Sequence, residues 1–226
     1  MVQSHQQHRG ETMRKTFTTL SAVFLVTSFA TAQRVGFDAG VHGGVAISAF
    51  EDLISDFYGI GFGGGGHLDA NIVKFFTTRL NIEYYTFAAD QDKLREAVAP
   101  AFGLRASDIA SSSGGAVNVF IVTMNAIGKI PTGSAVTPYA LFGFGIHSIS
   151  LSDISGSTTS GDSGTITADD VGFKEGTKFG LDFGFGFEFA TSKTVDLSLE
   201  FKYVLVFTEN NSNGAMPISL GANFHL

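Results

Sequence analysis

The feature that most constrains this chain is a strict two-residue alternation that returns eight times. Lys178 to Phe189 reads KFGLDFGFGFEF. In an extended strand Phe179, Leu181, Phe183, Phe185, Phe187 and Phe189 fall on one face, and Lys178, Gly180, Asp182, Gly184, Gly186 and Glu188 on the other. Wound into a helix, the same aromatics would point in every direction. From Val195 to Phe207 the split repeats, with Leu197, Leu199, Phe201, Tyr203 and Leu205 against Asp196, Ser198, Glu200 and Lys202. It recurs in Val35–Ile47 against Asp38, Gly40 and His42, in Ile60–Leu68 against His67 and Asp69, and in Leu80, Ile82 and Tyr84 against Arg79 and Glu83. Runs at 115–128, Tyr139–Ser150 and Ile218–Leu226 complete the set. In the run at 115–128 both faces are apolar near Val119–Val122, so its phase stays open. The pattern predicts an all-β chain.

Alternation does not say whether the apolar face meets a core or lipid. Composition separates the two. Charged residues make up 15% of the chain and hydrophobic ones 44%, whereas a soluble domain carries about 25% charged residues. The face opposite the Phe stripe is mostly Gly, Ser and Asn. Such a face solvates a protein surface poorly but leaves room in a narrow lumen. Lipid requires no interlocking fit, so Phe after Phe is acceptable there. The lipid-out orientation is therefore expected, with a soluble secreted barrel as the alternative. A net charge of −7 and a pI near 5.2 argue against a nucleic-acid partner, which needs a basic face. The absence of Cys excludes a disulfide scaffold and a thiolate zinc site.

Residues 13–33, MRKTFTTLSAVFLVTSFATAQ, have the layout of a Sec-type signal peptide. Arg14 and Lys15 precede an apolar run, Leu20–Ala30, which leads to a small-residue cleavage site at Ala30-Thr31-Ala32. The run is too short for a spanning helix, which needs about 20 residues. Residues 1–32 are expected to be an N-terminal extension plus a cleavable signal (13–32), with Met1 or Met13 as the start, and residues 33–226 to be the barrel domain. Short turns are expected at Val73–Phe76, Lys129–Pro138 and Ala190–Thr194. Longer connections are expected at Ser48–Tyr58, Ala89–Ser113, Leu151–Gly176 and Thr208–Met216, the second with a short helix near DQDKLREAV and the third a solvated Ser/Thr/Gly-rich loop. Eight strands with alternating short and long connections match an eight-stranded antiparallel up-and-down transmembrane β-barrel, with short periplasmic turns and long extracellular loops.

At this point the chain resembles the small eight-stranded outer-membrane barrels around the transmembrane domain of OmpA and the OmpX-like proteins. The signal peptide, the PYALFGFG and FGLDFGFGFEF strands and the terminal ISLGANFHL carry the resemblance. It implies a cell outer membrane location in a Gram-negative-type envelope, lipid and lipopolysaccharide as surroundings, and the barrel assembly machinery as a partner in biogenesis. It also implies that Ile218, Leu220, Ala222, Phe224 and Leu226 form the C-terminal assembly signal, although the family usually ends in Phe and this chain ends in Leu226. Ending at strand 8, the chain is expected to lack a peptidoglycan-binding domain.

The inward set is Asp38, Asp69, Arg79, Glu83, Lys178, Asp182, Glu188, Asp196, Glu200 and Lys202. Charges in a narrow lumen must pair or hold water, so a polar and charged network that fills the barrel is expected. Acids outnumber bases in this set, which leaves a narrow cation-preferring, porin-like channel as the alternative. A lipid A-modifying enzyme is the weaker one: His147 and Ser148 are adjacent on a strand and point to opposite faces, and His42, His67, His147 and His225 match no zinc spacing. The Gly-rich GIGFGGGGH at 59–67 lacks the Lys-Ser/Thr of a phosphate loop and reads as a closely packed strand that tolerates a bulge. No enzyme activity, cofactor or metal is expected. The role read from the resemblance is envelope integrity or surface interaction, with an extracellular ligand left unidentified. A closed barrel predicts that unboiled protein from outer membranes runs as a compact band on SDS gels and shifts on boiling. A protein found in the periplasmic fraction without a shift would reverse the faces.

Overall fold

In hydrocarbon every backbone N–H and C=O needs a partner, and a sheet achieves this only by closing on itself. A computed structural model, which describes residues 35–49, 57–102, 104–167, 170, 175–208 and 212–226, has that closure. The expected extension and signal peptide, residues 1–32, lie outside the described residues. Eight strands form the wall: β1 (Gly36–Ala49), β2 (Tyr58–Val73), β3 (Phe76–Ala89), β5 (Val117–Lys129), β6 (Val136–Leu151), β9 (Gly176–Ala190), β10 (Val195–Phe207) and β11 (Ser212–His225). Each pairs antiparallel with the next wall strand in the chain, and β11 returns to β1 through Asp38↔His225 to Ala49↔Gly214. The amide of Leu226 donates to Phe37 O at 3.0 Å and extends this seam. Among the described residues no helix is long and apolar enough to cross a membrane; the chain crosses by strands.

The Phe stripe faces outward. Phe62, Phe142, Phe144, Phe179, Phe185 and Leu220 are all at least half exposed. Neighbouring strands place their rings side by side, with Phe185 on Phe201 and Phe183 on Tyr203, each at 5.2 Å between centroids. These cross-strand aromatic pairs help to hold register on a face that makes no core.

One end of the barrel has short turns. Lys74 and Phe75 join β2 to β3, residues 130–135 join β5 to β6, and residues 191–194 join β9 to β10. Local chemistry sets the last two. Gly133 has φ +74°, a conformation that suits glycine. Ser192 Oγ accepts from the amides of Thr194 and Val195 at 3.2 and 2.9 Å.

The opposite end is built up. After β3 comes α1 (Gln91–Val98), capped by Asp90 Oδ1, which accepts from the amides of Asp92 and Lys93 at 3.1 and 3.3 Å. Two 3-10 turns follow, Ala99–Phe102 and Ala106–Asp108, the first where Pro100 ends the helix. Strand β4 (Ile109–Gly114) then pairs with β7 (Ile154–Thr158), and β7 with β8 (Ser163–Ile166). The expected solvated loop at Leu151–Gly176 is therefore corrected: residues 154–166 form a hairpin, because β4 offers it an edge from a connection distant in sequence. The expected loop at Thr208–Met216 is also shorter. β11 begins at Ser212 and pairs with Phe207, leaving 208–211 as the connection.

Phe183 lies mid-strand on the lipid face and pairs with Tyr203 across β9 and β10. Phe183→Arg is expected to lower stability in lipid vesicles by about 2–4 kcal/mol. Ile130→Arg, in a short turn, should cost about 1 kcal/mol or less. Equilibrium urea unfolding in vesicles of both variants measures the difference.

Candidate functional site: the lumen and its extracellular cap

Inward positions on the eight strands meet in a lumen too narrow to leave them apart. Glycine makes the space. A Cβ on Gly40 would fall on the His67 ring, and one on Gly186 on the Tyr139 ring. Over these gaps the long polar side chains reach across the barrel.

The central group ties β3 to β10, which stand four strands apart in the ring of eight and so face each other. Lys202 Nζ donates to both oxygens of Glu83, at 2.7 and 2.6 Å. Arg79 grips its cross-strand partner Asp69 with two bonds, Nε to Oδ1 at 2.7 Å and Nη2 to Oδ2 at 2.8 Å. Its Nη1 reaches across to Glu200 Oε2 at 3.1 Å, where the Tyr139 hydroxyl also donates at 2.8 Å. His42 lies 2.8 Å from Glu83 and stacks on His67 at 5.7 Å. His67 in turn bonds Asn223 at 2.9 Å. Asp69, Arg79, Glu83, Glu200 and Lys202 are all buried, so each ion has a partner where an unpaired one would be very costly.

Nearer the short turns, His225 bridges Asp38 at 2.9 Å and Asp196 at 3.2 Å. Asn71 donates to Asp38 at 2.7 Å and accepts from Thr77 at 2.7 Å. Lys129 pairs with Glu188 at 2.9 Å. Asp182 stands apart from these groups. His147 Nε2 lies 3.8 Å from its Oδ1, beyond hydrogen-bond range, and both residues are 0% exposed. Lys178 is half-buried beside His147 in register and makes no ion pair among the described residues. Nine of the ten charged residues singled out by sequence thus have a basic or acidic counterpart, histidine included, within 4 Å.

Sequence reasoning missed Lys129, Tyr139 and Asn71; it read the histidines as lumen hydrogen-bonders without naming their partners Glu83, Asn223 and Asp38. Lys129 shares the odd parity of Asn125 and Ile127, but the open phase of 115–128 hid it. The structure fixes that phase: Val117, Val119, Ile121, Thr123, Asn125 and Ile127 point inward, and Phe120 and Met124 outward.

This phase corrects the expectation of a polar network throughout the barrel. The linked polar groups sit at mid-height and toward the short turns; of the ten inward charges only Lys178 lies near the long connections. Toward the long connections the lumen holds an apolar cluster, with Tyr85, Phe87, Val117, Val119, Ile121, Ile149, Val204 and Val206 buried together. A void of about 20 Å³ remains among them, room for one water. Leu94 of α1 and Ile154 of β7 join the same cluster from above, and the Tyr58 hydroxyl donates to Gly115 O at 2.6 Å, tying the rim to the cap. The polar lining ends there because the inward positions in the upper parts of β3, β5 and β10 are apolar: Tyr85 and Phe87, Val117, Val119 and Ile121, Val204 and Val206.

Ile218, Leu220, Ala222, Phe224 and Leu226 line the outward side of β11 and the seam. The strand β2 carries a bulge between Tyr58 and Gly61, within the Gly-rich run. Among the described residues no three His, Cys, Asp or Glu side chains form a metal cluster.

The outer membrane protein beta-barrel domain model matches residues 16–225. Among solved structures, a major outer membrane protein from Thermus thermophilus is 13% identical, with 86% of this chain and 100% of that chain covered and a TM-score of 0.56. Neisserial surface protein A is 15% identical, covering 85% and 97%, with a TM-score of 0.49. The attachment invasion locus protein Ail of Yersinia pestis, solved with the heparin analogue sucrose octasulfate, is 12% identical over 85% and 97%, with a TM-score of 0.43. The likeness to the Thermus protein is one of fold. No curated protein matches the chain.

Lys202→Met takes the ammonium from Glu83, while Glu200 keeps Arg79, and is expected to lower stability by about 3–5 kcal/mol. Adding Glu83→Gln should recover most of the loss, because it removes the stranded charge. Unfolding of both variants in lipid vesicles measures this; equal losses would show that the pair does not act as a unit.

Proposed function

The chain belongs to the outer membrane protein beta-barrel domain family and resides in the outer membrane, and from that premise we propose that it is a non-conducting, non-enzymatic barrel that supports envelope integrity and presents a structured surface to the outside. The observation that carries this reading is the two-layer lumen. An ion entering from the short-turn side meets Arg79, Lys202 and their acids locked in pairs. Beyond them lies an apolar layer with space for about one water. An ion crossing that layer would shed its hydration, at a cost of several kcal/mol or more. Eight strands enclose a lumen that side chains fill, and here they do so with both kinds of chemistry.

The non-enzymatic reading is supported by the geometry of the one suggestive pair. His147 is buried in the lumen while Ser148 takes the opposite face of β6, so neither activates the other. The partners that follow are membrane lipid and lipopolysaccharide along the Phe stripe and the barrel assembly machinery during insertion, through the outward residues of β11. A surface role is supported by the cap. A helix, two 3-10 turns and a three-stranded sheet stand above the barrel, more order than a bare connection needs.

In planar bilayers the wild type and Lys202→Ala are both expected to be silent, because the apolar layer stays intact in each. Tyr85→Gly combined with Phe87→Gly removes the two largest rings of that layer and should admit ions. Steady channel openings by the wild type would replace this reading with the cation-preferring conduit.

A further inference from the structure

The cap contains a second apolar space, distinct from the lumen. Helix α1, the stretch between the two 3-10 turns, and the β4–β7–β8 sheet converge around a cavity of about 240 Å³. Leu94 comes from the helix, Leu104 from the stretch between the turns, and Ile109, Ile154 and Ile166 from the three strands. Leu94 and Ile154 also belong to the apolar layer that closes the lumen, so the floor of this cavity is the lid of the barrel. The volume is more than half again that of an apolar cavity that takes benzene, about 150 Å³, and too small for a folded partner.

One wall carries charge. Arg95 lines the cavity with a side chain that is 29% exposed, and its Nε, out of contact with solvent, has no hydrogen-bond partner. Its carboxylate neighbour among the described residues, Asp92, is 89% exposed and 3.8 Å from Nη1, too far for a hydrogen bond. Arg105, another cation nearby in sequence, is already engaged with Asp108 at 3.2 Å, whose carboxyl it holds below the ordinary carboxylate range through backbone and side-chain hydrogen bonds. Asp162, also on the lining, accepts from Ser160 Oγ at 3.2 Å. A buried donor left unsatisfied is unfavourable, and a planar guanidinium matches a carboxylate. Apolar walls beside one waiting guanidinium describe a receptor for a small amphiphile with an anionic head.

We propose that the cap binds a medium-chain alkyl carboxylate, its chain among Leu94, Leu104, Ile109, Ile154 and Ile166 and its carboxylate on the Arg95 guanidinium. The proposal rests on the surface-interaction reading only in taking the cap as the outward face, and it names the class of ligand that face takes. It does not depend on whether the lumen conducts.

The test uses the full chain in lipid nanodiscs, titrated calorimetrically with octanoate and, separately, with 1-octanol, after subtraction of empty nanodiscs. Saturable one-site binding of octanoate is expected. Ile109→Trp, which fills the cavity, should weaken both ligands at least tenfold. Arg95→Gln should weaken octanoate about tenfold and leave 1-octanol unchanged. Heat-modifiable migration checks that each variant is folded, and Ser157→Phe, filling from the β7 side, replaces Ile109→Trp if that variant is not. Octanoate heats no different from empty nanodiscs overturn the proposal, as does a folded filled variant that binds like the wild type. Equal loss of both ligands in Arg95→Gln overturns the assignment of the head group. Conductance of the same preparation in bilayers reads the lumen independently, so failure of the cap site and failure of the sealed-barrel reading are told apart.

Discussion

Closure of β11 onto β1 is the constraint from which the rest of the structure follows. In lipid an open edge would leave a row of N–H and C=O groups without partners, each costing several kcal/mol. Twelve register pairs from Asp38↔His225 to Ala49↔Gly214 close that edge. Once the sheet is a ring of eight, its radius is set, and so is the shortage of space inside. Every inward side chain must then fit against those from the opposite wall. Glycines such as Gly40 and Gly186 are consequences of that shortage, since a Cβ there would occupy the place of a ring that reaches across.

The same narrowness determines what charge can do in the lumen. Glu83 and Lys202, on facing strands, come within 2.6 Å, and Arg79 is shared between a neighbour on β2 and a partner on β10. These are links across the diameter as well as ion pairs. They connect walls that are otherwise related only through hydrogen bonds around the ring. A buried pair is weak evidence for net stability, because desolvation offsets much of the attraction. Its consequence here is arrangement: one set of partners satisfies the buried ions, and that set fixes how the two walls face.

Above this network the apolar layer of Tyr85, Phe87, Val119, Ile121, Val204 and Val206 changes the character of the lumen. A polar filling alone can hold water and pass protons or ions. An apolar layer in series with it is the basis of the proposed non-conducting role, and the cap stands directly on that layer. There, residues from two connections that are far apart in sequence build one small sheet, β4–β7–β8, braced by α1. Leu94 and Ile154 pack into the lumen's apolar layer, so the cap is anchored by the plug.

Everything that depends on period and hydropathy was legible in the chain itself. The runs around Lys178–Phe189 and Val195–Phe207 state their strands, their faces and their environment, because alternation maps each residue to one side of a sheet and lipid accepts an unbroken Phe stripe. The short turns were legible for the same reason, and so was the short helix, through the helical spacing of Leu94 and Val98 and Pro100 beyond its end. The inward charged residues could be named, but their partners could not. Which acid meets which base depends on how strands opposite in the ring are staggered, and no local pattern encodes that distance. Where both faces are apolar, as at Val119–Val122, period two gives no phase, and with the phase went Lys129 and the β5 share of the apolar layer, Val117, Val119 and Ile121. The hairpin at 154–166 was hidden because its strands are short, polar and stabilised by an edge contributed from residues 109–114. Tertiary structure decided these features because each is a contact between segments whose separation along the chain carries no information about their separation in space.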